Sequence, residues 1–99
     1  MRDYELLYIV PPQADQERLA EVIEGVKALV ESNQGQVHKA EPWGLRRLAY
    51  PIKNHREGQY VLMHIALDPQ RVSALERSLR LNESIIRHLI VRMDEVESS

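Results

Sequence analysis

The segment Gly44-Leu45-Arg46-Arg47-Leu48-Ala49-Tyr50-Pro51-Ile52 holds the side chains best suited to binding chemistry. Two adjacent arginines in an extended chain point to opposite faces, so at least one must leave the core side or lie at a sheet edge. A guanidinium fork matches phosphate oxygens, and Trp43 and Tyr50 beside the pair offer rings that stack on a base or ribose. The same residues suit a plainer arrangement, in which Arg46 and Arg47 pair with acids of a helix or keep an edge strand solvated while Trp43 anchors the strand edge. Their surroundings favour a polyanion: residues 39–56 carry Lys39, Arg46, Arg47, Lys53 and Arg56 against Glu41 alone. Over the whole chain this excess vanishes, because 13 basic residues face 15 acidic ones for a formal net charge of -2. A nearly neutral total thus hides a basic middle and an acidic first third.

Other chemistry is poorly served. Among the four histidines, His38, His55, His64 and His88, His64 and His88 fall on strands separated by a third, about 10 Å apart, whereas zinc needs nitrogens at about 2 Å. The absence of cysteine removes disulfides, thiolate nucleophiles and zinc-thiolate sites, and agrees with a reducing, cytoplasmic compartment. No Ser-His-Asp set, glycine-rich phosphate loop or paired buried carboxylates assembles, and Glu5 with His64 reads as a solvated pair; neither enzyme activity, a cofactor nor a small-molecule substrate is expected. Met1-Arg2-Asp3-Tyr4-Glu5 lacks the basic start of a secretory leader, and Leu6 to Val10 is too short to cross a bilayer, so no membrane partner is expected.

The elements that must position the basic middle follow from periodicity. With 99 residues, 43% hydrophobic and 28% charged, the chain suits one domain. Tyr4 to Val10 is a strand halted by Pro11-Pro12. Leu19, Val22, Ile23, Val26, Leu29 and Val30 lie on one helical stripe, with Asp15 as N-cap and Gly35 as the left-handed residue that ends the helix near Asn33. Val37 to Ile52 reads as one long or bulged edge strand, Lys53 to Gly58 as an exposed, mobile hairpin loop, and Tyr60 to Leu67 as the third strand. Asp68-Pro69 opens a second helix with Val72, Leu75 and Leu79 inward, Asn82 ends it, and Ile85 to Met93 forms the fourth strand. Residues 1–93 then form the domain, and 94–99 an acidic, disordered tail.

The order β-α-β-β-α-β with right-handed crossovers predicts an α+β, ferredoxin-like sandwich: an antiparallel four-stranded sheet of order 4-1-3-2 with two helices on one face. Alternation turns Tyr4, Leu6, Tyr8, Val10, Val61, Met63, Ile65 and Leu67 toward the helices. It leaves Leu7, Ile9, Tyr60 and Leu62 on an uncovered apolar face that wants a partner. Tyr60 is the only aromatic residue there, so base stacking across the central strands is not expected.

The opening Met1-Arg2-Asp3-Tyr4-Glu5, the nine residues Gly44 to Ile52 and the spacing of all six elements resemble the bacterial ribosomal protein S6 family over residues 1–93. The resemblance implies a ferredoxin-like fold, a place on the central domain of small-subunit ribosomal RNA, and binding as a pair with the basic ribosomal protein S18. It carries RNA-binding roles onto Arg46, Arg47 and Tyr50 of the middle motif and Arg2 of the first. Tyr4 belongs to that first motif but has an equal core reading, and Leu45 and Leu48 read as packing residues. Charge and expected exposure add Lys39, Lys53, Arg87 and Arg92 as RNA contacts, and Leu7, Ile9, Tyr60 and Leu62 as partner contacts. The competing classes are a small-molecule-sensing or enzymatic dimer of the same fold, disfavoured by Pro11-Pro12 where a glycine-containing turn is usual, and a bare protein-interaction module.

Overall fold

The computed structural model describes residues 1–93; the expected tail, 94–99, lies outside the described residues. The elements are β1 (Arg2–Val10), α1 (Gln16–Ser32), β2 (Gln36–Ile52), β3 (His55–Leu67), a 3-10 turn (Pro69–Arg71), α2 (Val72–Leu81) and β4 (Arg87–Arg92). The strands form one antiparallel sheet in the order β2-β3-β1-β4. Both helices pack on one face: Val22, Val26 and Val30 of α1 and Leu75 and Leu79 of α2 close on Tyr4, Leu6, Tyr8, Val10, Val61, Met63, Ile65 and Leu67. This is the ferredoxin-like arrangement.

Local chemistry sets the helix ends. The Asp15 carboxylate accepts from the Arg18 amide at 2.8 Å, occupying a donor that the first helical turn leaves free. At the other end the left-handed residue is Gln34, with φ 64, and not Gly35 as expected. Gly35 is required for a different reason, close packing: a Cβ there would lie 2.7 Å from the Ala66 carbonyl oxygen and 2.9 Å from Val30 Cγ1. Asp68 caps the 3-10 turn by accepting from the Gln70 amide at 2.9 Å, and Asn82 ends α2.

The strands depart from expectation in three places. β3 starts at His55, so the anticipated loop 53–58 shrinks to Lys53-Asn54, whose φ values of 49 and 68 give a two-residue reversal with Ile52 opposite His55. β4 is shorter than Ile85 to Met93, spanning Arg87–Arg92; Ile85 and Ile86 lie buried ahead of it, with the Ile86 amide donating to the Ile9 carbonyl at 2.8 Å. Its register sets Leu89 opposite Leu7 and Arg87 opposite Ile9, so these two residues share the face without helices, while His88, Ile90 and Arg92 turn to the other.

β2 departs furthest from regularity. Its pairing with β3 shifts between Val37 and Lys39, between Pro42 and Gly44, and between Arg47 and Ile52. An extra residue in one strand reverses which face the following side chains take. The second shift aligns Arg46 with Gly58, on the same face as Tyr60 and Leu62, and the third swings Leu48 over the sheet. Leu48 meets Ile9 and Ile86 in a second small core, with Ile52 and Tyr60 packed against it. Ile9 is therefore covered, at 7% exposed, and the expectation that it lies on an open patch is corrected; Leu7 and Leu62 remain half-buried.

Candidate functional site

The end of the β2-β3 hairpin is an arm of cations. Arg46, Arg47, Lys53 and Arg56 are all exposed. Among the described residues, none of the four has a carboxylate oxygen within 4.0 Å. Pairing of Arg46 and Arg47 with acids of the first helix is thus not what the structure contains. Arg46 instead lies over the Trp43 ring, its Cζ 5.8 Å from the centroid. Arg47 and Arg56 border a shallow groove together with Tyr50 and Pro51. Arg56, which the sequence places in the basic cluster without marking it as an RNA contact, borders the same groove as Arg47.

Where the arm crosses the sheet it walls a cleft of about 240 Å³, lined by Leu7, Ile9, Leu48, Tyr60 and Leu89 with Tyr50 and Arg87 at the rim. Arg87 Nη1 donates to the Tyr50 hydroxyl at 2.8 Å and holds the rim together. Leu89, 56% exposed, belongs to this apolar surface and was missed, since the register of β4 was open in the sequence. Leu48 is buried at 7%, as a packing residue should be, whereas Leu45 is 55% exposed and packs against nothing that would hide it. Tyr4 is 4% exposed and belongs to the core.

The expected RNA contacts do not form one surface. Lys39 Nζ lies 3.0 Å from Glu41 Oε2, and that hydrogen bond, followed by one from the Trp43 indole, holds the Glu41 carboxyl below the usual carboxylate range. Arg2 and Arg92 lie on the helix-covered side, around a shallow pocket with Pro69, Ser73 and Glu76 at the start of α2. Only Arg46, Arg47 and Lys53 share the arm, with Tyr50 and Arg87 joined at its base. His64 Nε2 sits 3.6 Å from Glu5 Oε1 and His88 Nε2 3.8 Å from Glu76 Oε1. The His88 imidazole titrates below its ordinary value because burial outweighs the nearby Glu76 carboxylate.

The family model for ribosomal protein S6 matches residues 3–92. The chain belongs to the ribosomal protein S6 family. Its relatives include the small ribosomal subunit proteins bS6 of Desulforamulus reducens, 40% identical over 95 residues that cover 96% of this chain and 100% of the relative, and of Carboxydothermus hydrogenoformans, 39% identical over 95 residues covering 96% and 99%. Among solved structures, the 30S ribosomal protein S6 of Thermotoga maritima superposes with a TM-score of 0.88 at 33% identity, over 98% of this chain and 92% of that one. As an S6 family member the chain is a structural protein of the small ribosomal subunit, a cytoplasmic complex, and not an enzyme. Among the described residues, no helix is long and apolar enough to cross a membrane.

Proposed function

We propose that the protein binds the central domain of small-subunit ribosomal RNA as a pair with ribosomal protein S18, the cationic arm meeting RNA and the sheet cleft meeting the partner. The observation that carries this reading is the arm itself: four exposed cations with no carboxylate in reach among the described residues. Such charges release condensed counterions on meeting phosphates, a gain that an ion-paired arginine does not provide. Arg2 and Arg92 on the far side meet a separate stretch of RNA backbone, and Lys39 contributes less because Glu41 already binds it. The half-buried Leu7, Leu62 and Tyr60, with Leu89 beside them, present apolar surface to S18, and Ile9 supports that surface from beneath.

The test is affinity for a central-domain RNA fragment measured with and without S18. The composite surface predicts weak binding by the protein alone and strong binding by the pair, because more phosphates are neutralised together. Nanomolar binding by the protein alone contradicts the requirement for a partner.

A further inference from the structure

Trp43 is the single tryptophan of the chain, and 41% of its surface is exposed. A strand-edge anchor would be hidden; this ring is not. It stands at the shift between Pro42 and Gly44, where β2 carries one residue more than β3. Its orientation is nevertheless fixed. The indole Nε1–H donates to Glu41 Oε1 at 3.1 Å, and the other oxygen of that carboxylate is 3.0 Å from Lys39 Nζ. The Arg46 guanidinium lies 5.8 Å from the ring centroid. Next in the chain, Gly44 at φ 89 leaves open space, since a Cβ there would meet nothing within 4 Å.

A large ring held in place yet left in water forgoes the burial that normally accounts for a tryptophan. The nearest acid, Glu41, is neutralised by Lys39, so an approaching phosphate meets Arg46 without a net negative neighbour. We propose that Trp43 is a stacking platform for one unpaired RNA base, with Arg46 binding the phosphate that flanks it. The proposal rests on the RNA-binding reading above and adds to it a base contact that phosphate neutralisation alone does not supply. Stacking tolerates any base because each has a π-face, and it requires a nucleotide already out of its helix, so the site takes a loop or bulge and not a paired stretch.

The single tryptophan makes the test direct. The protein, paired with S18, is titrated with a fluorescein-labelled central-domain RNA fragment while label anisotropy and tryptophan emission are followed, the Trp43→Phe pair serving as the emission blank. The platform predicts quenching that saturates together with the anisotropy. It also predicts that Trp43→Leu weakens binding about tenfold while Trp43→Phe, which keeps a π-face, stays within about threefold. Binding without quenching, or a folded Trp43→Leu that binds as tightly as the wild type, overturns the platform and leaves the RNA reading standing. No anisotropy change at any RNA concentration overturns both. Should Trp43→Leu fail to fold, the wild-type quenching still decides.

Discussion

Arg87 Nη1 and the Tyr50 hydroxyl are 2.8 Å apart, a hydrogen bond between side chains on β4 and at the end of β2, strands on opposite edges of the sheet. Strands so placed meet only because β2 leaves its ladder after Arg47 and crosses the open face. The bond therefore closes the rim of the apolar cleft. Replacing Tyr50 with Phe keeps the ring and removes the acceptor. An exposed bond of this kind contributes about 0.5–1.5 kcal/mol, so global stability falls by no more than that. Amide hydrogen exchange over residues 48–52 should quicken while β1 stays protected. Unchanged exchange in that stretch would show that Leu48 packing alone holds the arm.

Gly58 allows Ile9 to lie where it does: a Cβ added at Gly58 would collide with Ile9 Cγ2. Gly58→Ala should destabilise the protein by about 1–3 kcal/mol, the usual penalty for overpacking. Gly25 in α1 is the control, with nothing within 4 Å of an added Cβ. Gly25→Ala should stabilise by about 0.5–1 kcal/mol through helix propensity. Thermal or denaturant unfolding of the two variants checks both signs.

Tyr8 is fully buried, and its hydroxyl finds no hydrogen-bond partner among the described residues. Burial raises its pKa far above the ordinary phenol value. The unfolded chain, by contrast, releases this proton at about pH 10. The folded form keeps it, so stability from this group is complete below about pH 10 and is lost as pH rises beyond it. Tyr8→Phe should be neutral to stabilising at neutral pH and should flatten the decline on the alkaline side. A loss of more than about 1 kcal/mol at pH 7 would mean that the hydroxyl has a partner.

His88 titrates in the opposite sense. Its folded pKa is depressed by burial, so its stability contribution is present above the unfolded value of about 6.5 and is lost as pH falls toward the folded value. The residues facing it are Tyr8 across β1, Glu76, whose carboxylate lies 3.8 Å away, and Arg80, both on α2. His88→Gln should reduce the loss of stability just below pH 6.5, measured by denaturant unfolding across that range. An equal slope in both proteins would contradict the depressed value.

Much of the fold was legible because local chemistry and global packing agree. Asp15, Asn33 and Asn82 bound the helices as their side chains suggest, Asp68 caps the 3-10 turn that leads into α2, and strict alternation assigned the residues of β1 and β3 that face the helices. The largest departures concern β2. Alternation counts residues, and each bulge reverses the count, so nothing in the sequence reveals that Leu48 will cover Ile9 or that Arg46 will share a face with Tyr60. The hairpin loop was overdrawn because Lys53-Asn54 reverses the chain without glycine, at φ values few side chains adopt. Within the site, type and clustering found Arg46, Arg47 and Lys53. They could not separate Arg2 and Arg92, which the sheet carries to its other side, nor reveal that Arg87 already binds Tyr50.

The most direct measurement of the central claim is binding of the pair with S18 to a central-domain RNA fragment across a salt series, for wild type and for Arg46→Glu with Arg47→Glu. The account predicts salt-sensitive binding whose log–log slope is shallower by about two phosphate contacts in the double variant, with affinity reduced at every salt concentration and pairing with S18 unchanged. Equal affinity and an equal slope in the two proteins would contradict it, and would leave the cationic arm as a solvated edge.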